Sequence, residues 1–169
     1  MRVAPVAWAV DSVDEVLHEA ARSAEVTHDH PEGIKGAEAT ALAVYLARKG
    51  CEKGEIASEI TDRFGYDLSL TPDEIRPTYS FDVTCQGSVP QSIICFLSSE
   101  SFEDAVRTAV SLGGDADTMA AIAGSIAEPY YGGVPEELAR EVRQRLPGDL
   151  LDVLQRFEGN GRRPLENVE

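Results

Sequence analysis

Apolar residues recur every three or four positions along most of the chain, and this spacing predicts amphipathic helices with one buried face. The clearest example follows a glycine pair and consists of Met119, Ile122, Ala123, Ile126 and Ala127. Segment 78–84 has strand-like residues but no evident partner strand, so we interpret it as an extended connection. The pattern predicts eight or nine helices, an all-α fold and a single domain over residues 1–169.

Capping residues and helix stops set the expected helix boundaries. Ser12 and Glu15 form a capping box, and Ser101 caps the helix that leads into the glycine pair. Pro90 is expected to start a short buried helix, and residues 158–169 are expected to fray. The other expected helices span 36–49, 53–64, 135–146 and 148–157, with a short one after Thr71.

The composition narrows the function classes. The chain carries 15 Lys and Arg residues against 30 Asp and Glu residues, and its formal net charge is −15. This balance argues against a broad nucleic-acid or membrane surface. No apolar run reaches membrane-spanning length and no signal pattern is evident, so we expect a cytoplasmic protein. Three cysteines without a Cys-x-x-Cys pair predict small thiols in a reducing compartment rather than a zinc cage or disulfides.

The chemistry is expected in the segment Gly113-Gly114-Asp115-Ala116-Asp117-Thr118. In a regular helix Asp115 and Thr118 share a face and Asp117 points away, so all three converge only if Asp115 lies in the turn before the helix. The two glycines permit that turn. Two carboxylates and a hydroxyl that converge would bind a hard cation such as Mg²⁺ or Mn²⁺. The alternative is that Asp115 caps the helix and Asp117 complements its dipole.

Two further patterns compete with this interpretation. An Asp-x-Asp pair also opens haloacid-dehalogenase-type phosphotransferases, but there it follows a buried strand, whereas residues 105–112 have a helical pattern. His28 and His30 could bind zinc together, although no third ligand is near them in the sequence. A helix cap or a hydrogen bond to a loop carbonyl is the competing interpretation for these histidines.

Several separated segments resemble one protein family, in the same order. They are MRVAPVAWA, THDHPEGIKGA, FDVTCQGSVPQSIICFL followed by SFEDAV, and GGDADTMAAIAG followed by YYGG. Together they are similar to the C-terminal part of the ADP-ribosylglycohydrolase family, the group that contains the dinitrogenase-reductase-activating glycohydrolases. The family's N-terminal Thr-Asp-Asp-Thr metal motif has no counterpart, and the chain begins at the Met-Arg that follows the family's Gly-Asn-Gly segment. We therefore expect half of the family's metal shell.

The resemblance implies a function and a set of site residues. The family is all-helical, holds two Mg²⁺ or Mn²⁺ ions, and hydrolyses the glycosidic bond that joins ADP-ribose to a protein side chain or another acceptor. By this analogy Asp115, Asp117 and Thr118 are metal ligands, and Asp115 and Asp117 are catalytic. The analogy also implies substrate-binding residues, namely His28, Gly113, Gly114, Tyr130, Tyr131 and Gly132.

Three hypotheses follow. The first is a Mg²⁺-dependent hydrolase of ADP-ribosylated proteins or small molecules, which is either completed by a separate N-terminal partner or represented by this sequence as a fragment. The second is a non-catalytic module that binds ADP-ribose or a partner protein. The third is a structural helical domain whose acids are caps. Helices that would pack against the missing family segment should leave apolar surface uncovered, so we also expect a homo-oligomer.

Overall fold

A computed structural model describes residues 1–161, and all regular secondary structure within that range is helical. The predicted all-α fold class is therefore confirmed. The described part of the chain contains ten helices rather than eight or nine: α1 Val6–Ala9, α2 Val13–His28, α3 Pro31–Arg48, α4 Lys53–Phe64, α5 Pro72–Ile75, α6 Cys85–Leu97, α7 Phe102–Leu112, α8 Ala116–Tyr130, α9 Glu136–Arg145 and α10 Gly148–Gly161.

The helices belong to two compact units. Helices α1 to α8 form the first unit, Met1–Gly133, and α9 and α10 belong to a second unit that begins at Val134. Within the second unit, Arg143 Nη2 on α9 lies 2.9 Å from Glu158 Oε1 on α10. The expectation of one domain over residues 1–169 stays a prediction.

Helix α3 lies at the centre of the first unit. All residues from 39 to 45 are buried, so this helix has no polar face there and packs against α1, α2, α4, α6 and α8. Leu42 and Val44 belong to the main apolar cluster, which also contains Phe96 of α6. A helix that is apolar on every side must be surrounded by other helices, and this arrangement positions the ends of α2, α6 and α8 around it.

Helix α8 joins two apolar clusters. Ile122 and Ile126 belong to the main cluster, while Met119 and Ala123 belong to a second cluster with α6 and α7. At Gly124 an added Cβ would lie 3.2 Å from Val106 Cγ2, so the glycine allows α7 to pack closely against α8. The N-terminus of α8, where the candidate acids lie, is therefore held on two sides.

Four helix boundaries differ from expectation. Helix α3 begins at Pro31 rather than near residue 36, because the His30 ring accepts a hydrogen bond from the Glu32 amide and caps it. Helix α6 begins at Cys85 rather than at Pro90, because Thr84 caps the Gly87 amide and the proline lies inside the helix. The last two helices differ less: the proline before α9 is its N-cap rather than its first residue, and α10 continues to residue 161.

Three further expectations concern the C-terminal tail, membrane-spanning segments and the cysteines. The predicted frayed tail starts at residue 158, but residues 158–161 are helical, and residues 162–169 lie outside the described range. No helix within residues 1–161 is both long and apolar enough to cross a bilayer. Cys51, Cys85 and Cys95 are free thiols, and of these Cys95 is fully buried.

Candidate active site

The glycine pair turns the chain sharply between α7 and α8. Gly113 and Gly114 have φ angles of 80° and 66°, a region that side chains with a Cβ disfavour. At Gly114 an added Cβ would also lie 2.7 Å from Cε1 of Tyr79. The Tyr79 hydroxyl donates to the Gly87 carbonyl over 2.8 Å, and this hydrogen bond holds the ring in place against the turn. Segment 78–84, which was interpreted as an extended connection, thus passes close to the turn.

Asp115 occupies the N-cap position of α8, as convergence requires, but its side chain makes no capping hydrogen bond. A side-chain hydrogen bond with Asp115 is the largest cause that lowers the pKa of Asp117 from its usual value, followed by the backbone amides of Thr118 and Asp117. The capping alternative for Asp115 therefore lacks its hydrogen bond.

A cleft with a cavity volume of about 310 Å³ lies beside the N-terminal half of α8. Thr118 and Ile122 of α8 line one side, and His28 at the end of α2 lines another. Arg2 and the β-branched Val83 also line it. The structure thus brings together two residues that were predicted from separate sequence motifs, namely His28 and Thr118.

Two glycines of α3 bring the backbone of that helix to the cleft wall. An added Cβ at Gly33 would lie 2.7 Å from the His28 carbonyl oxygen, and one at Gly36 would lie 2.9 Å from Cβ of Cys85. Both glycines line the cleft, as does Cys85. These positions therefore admit only glycine if α2, α3 and α6 are to keep their present separation.

Tyr130 and Tyr131 lie at the opposite end of α8 from the acid pair. Fourteen residues of helical rise separate Ala116 from Tyr130, or roughly 21 Å. The Tyr130 ring packs edge-on against Phe96 at 5.2 Å between centroids, and Lys53 Nζ lies over both tyrosine rings at 5.5 Å. Neither tyrosine nor Gly132 is among the residues that line the cleft. Their role in substrate binding stays a prediction.

The donor set agrees in type with a hard divalent cation. Asp115, Asp117 and Thr118 offer only oxygen atoms, and Asp117 is exposed. Within residues 1–161, no three His, Cys, Asp or Glu side chains converge as a metal-binding group. Because Mg²⁺ takes roughly six oxygens, these residues could supply three of them, with water, substrate or other protein groups supplying the rest.

Some residues at this site were not predicted from the sequence. Tyr79 under the turn is one, and the cleft wall adds others, among them Arg2, Gly33, Gly36, Val83 and Cys85. The β-like composition of segment 78–84 was a usable signal for a crossing connection, but it did not distinguish which aromatic residue lies under the glycines. Arg2 and Cys85 are single residues without a spacing pattern, so only the packing of the helices reveals them.

Comparison with known proteins decides the family. The sequence pattern described for the ADP-ribosylglycohydrolase family matches residues 1–163. The chain belongs to the ADP-ribosylglycohydrolase family. It is 32% identical to ADP-ribosylhydrolase ARH3 of Homo sapiens, over 78% of this chain and 49% of that protein. It is 27% identical to ADP-ribosylarginine hydrolase Tri1 of Pseudomonas putida (strain GB-1), over 90% of this chain and 44% of that protein.

A third relative is an uncharacterised protein of Archaeoglobus fulgidus, 29% identical over 86% of this chain and 52% of that protein. The chain thus spans about half the length of the curated relatives it matches. As a member of the family it resembles hydrolases that act on ADP-ribosylated molecules.

Proposed function

We propose that this chain binds the ADP-ribose unit of an ADP-ribosylated protein or small molecule and supplies part of a Mg²⁺- or Mn²⁺-dependent hydrolase site. The observation that carries the proposal is the placement of Asp115, Asp117 and Thr118 at one helix N-terminus, with Thr118 lining the same cleft as His28. The names of the relatives, an ADP-ribosylhydrolase and an ADP-ribosylarginine hydrolase, support the substrate class.

Each residue has a role in this proposal. Asp115, Asp117 and Thr118 would hold a divalent cation, which when bound supplies Lewis-acid chemistry and neutralises the two carboxylates. Asp117 is exposed and could accept a proton from water at the anomeric carbon as the glycosidic bond breaks. Gly113 and Gly114 present backbone without side chains, which allows close approach of a sugar. As the family resemblance implies, we propose two such ions in the complete site.

A second candidate function is binding of ADP-ribose without cleavage. It is favoured by the small donor set, because residues 1–161 contain no group of three or more His, Cys, Asp or Glu side chains that could hold a metal ion. In this case the cleft would recognise ADP-ribose on a protein, and the acid pair would bind a cation weakly.

Partners and location complete the proposal. We propose that a second copy of the chain covers the exposed apolar surface, and that a separate chain carrying the N-terminal family motif completes the metal shell. Exposed apolar side chains in the first unit support association, since Val26 is 80% exposed and Phe81 and Val83 are each 70% exposed. The net charge of −15 disfavours a nucleic-acid partner, and the three free thiols suit a reducing cytoplasm.

The test measures cation binding separately from catalysis. Mn²⁺ should broaden the backbone amide signals of Gly114 to Met119, and Asp117→Asn should remove the broadening. Asp14→Asn is the matched control, because Asp14 is an exposed aspartate in the first turn of α2. Calorimetry then measures ADP-ribose affinity, and release of ADP-ribose from an ADP-ribosylarginine peptide measures hydrolysis.

The outcomes separate the candidates. Release that depends on Mg²⁺ and is lost in the Asp117 variant supports the hydrolase. Tight ADP-ribose binding without release supports the binding module. Absence of both, or Mn²⁺ broadening that is the same in both variants, rejects the proposed site.

A further inference from the structure

Arg2, Thr27 and His28 form a hydrogen-bonded chain at the edge of the cleft. Arg2 Nη2 lies 2.6 Å from Thr27 Oγ1 and 3.0 Å from the Ser23 carbonyl oxygen. Thr27 Oγ1 lies 2.7 Å from Nδ1 of His28. The outer members of this chain, Arg2 and His28, both line the cleft. These hydrogen bonds connect the segment before α1 to the last turn of α2.

The donor and acceptor capacities of the three groups favour one direction for each hydrogen bond. A guanidinium only donates, so Thr27 Oγ1 accepts from Arg2. A threonine hydroxyl has one proton, and within residues 1–161 its remaining partner is Nδ1 of His28. All three groups are satisfied when Thr27 donates to Nδ1. Neutral His28 then carries its proton on Nε2.

We propose that Arg2 and Thr27 are positioning residues that hold His28 in the Nε2–H tautomer, so that His28 donates a hydrogen bond to an acceptor oxygen of the ligand. The part that concerns the ligand rests on the proposed function. Because His28 would donate from Nε2, the ligand group that it contacts is a phosphate or hydroxyl oxygen of ADP-ribose rather than a group that can only donate. The Arg2 guanidinium adds positive charge to the same edge of the cleft, which favours an anionic oxygen there.

The test of the tautomer uses the whole chain and needs no ligand. Long-range ¹H–¹⁵N correlation spectra of histidine-labelled protein at alkaline pH distinguish the two neutral tautomers. The other two histidines of the protein serve as internal references. His30 accepts a backbone hydrogen bond at Nδ1 and should show the Nε2–H form, while His18, whose side chain is 70% exposed, should show a mixture of the two neutral tautomers.

Three variants test the positioning residues. His28 should match His30 in the unchanged protein, and Thr27→Val and Arg2→Met should shift it toward the mixture seen for His18. Thr27→Ser keeps the hydroxyl and should keep the single tautomer. The proposal is overturned if His28 shows the Nδ1–H form, or if Thr27→Val leaves its spectrum unchanged while circular dichroism shows intact folding.

Affinity for ADP-ribose tests whether His28 donates a hydrogen bond to the ligand. Because one hydrogen bond changes affinity by a modest factor, Thr27→Val and Arg2→Met should weaken binding about two- to tenfold, with Thr27→Ser unchanged. Equal affinity in all of these variants would overturn the donor role of His28. Failure of the unchanged protein to bind ADP-ribose would reject the proposed function, while the tautomer of His28 would still be decided by its spectrum.

Discussion

The hydroxyl of Tyr131 donates to the carbonyl oxygen of Ser99 over 2.6 Å and ties the end of α8 to the turn before α7. The same carbonyl accepts from Lys53, whose ammonium lies 5.5 Å from the centroid of the Tyr131 ring. These contacts connect α4, α6 and α8 at one point. The contacts within the described residues therefore give Tyr131 a structural role, whatever its relation to a ligand.

Tyr131→Phe should lower the free energy of unfolding by about 1–2 kcal/mol, because it removes a partly buried hydrogen bond and leaves the ring in place. Chemical denaturation measures the change. ADP-ribose affinity should stay the same, since Tyr131 does not line the cleft. A large loss of affinity without loss of stability would show that the Tyr-Tyr-Gly loop contacts the ligand.

Tyr66→Phe is the matched control for this substitution. The Tyr66 hydroxyl is buried and has no hydrogen-bond partner among the described residues. Removing it should leave the stability unchanged or raise it slightly, because an unsatisfied polar group is lost from the interior. If both variants lose stability equally, the Tyr131 hydrogen bond is not the cause.

Gly114→Ala should disrupt the turn that carries the acid pair. It places a Cβ at a φ of 66° and within 2.7 Å of the Tyr79 ring, so we expect a loss of about 1–3 kcal/mol in stability. Mn²⁺ binding should weaken with it. Thermal unfolding and Mn²⁺ titration measure the two effects.

Gly54→Ala is the corresponding control in α4. An added Cβ there meets no atom within 4 Å, and the substitution should stabilise the protein by about 0.4–1 kcal/mol. Equal stability of the two alanine variants would contradict the strain assigned to Gly114.

Local chemistry made much of the fold predictable. Ser12, Thr71 and Ser101 cap their helices as expected, and Gly65 ends α4 in the left-handed conformation. These signals act within four residues, so they can be recognised without knowledge of the neighbours. The turn position of Asp115 was also predictable, because the glycine pair and the spacing to Thr118 left one way for the acids to converge.

Residues that depend on packing were not predictable. The start of α3 was expected near Gly36, yet the helix begins at Pro31, so Gly33 and Gly36 both lie in its first turns, where α2 and α6 approach closely. Pro90 looked like a helix start, but the capped segment before it is held helical and the proline itself is buried. In both cases the helix begins at a capped residue further upstream, His30 or Thr84, and the glycines or the proline lie inside it.

Thr71→Ala should change how stability depends on pH. Hydrogen bonds from the side chain and backbone of Thr71 hold the pKa of Glu74 below its usual value. A carboxyl with a lowered folded-state pKa stabilises the protein above its unfolded pKa, and this is lost as pH falls through the folded pKa. The variant should therefore show a higher Glu74 pKa and a smaller loss of stability on acidification.

The measurements are a ¹³C titration of the Glu74 carboxyl and urea unfolding at neutral and acidic pH. Thr71→Ser keeps the hydroxyl and should behave like the unchanged protein. An unchanged Glu74 pKa in Thr71→Ala would show that the backbone amide alone sets it.

Cys85 provides a chemical test of the cleft, because its thiol lies in the wall while Cys51 lies elsewhere. Burial raises the pKa of both thiols, so little thiolate forms at neutral pH and alkylation by iodoacetamide should be slow there and accelerate as the pH rises. ADP-ribose should slow the alkylation of Cys85 by covering it and leave Cys51 unaffected. Mass spectrometry of the two cysteine peptides measures both rates in one sample. Because Cys51 reports any general change in stability, equal protection of both thiols would indicate that ADP-ribose stabilises the whole fold rather than covering Cys85. No protection of Cys85 would mean that ADP-ribose binds outside the cleft.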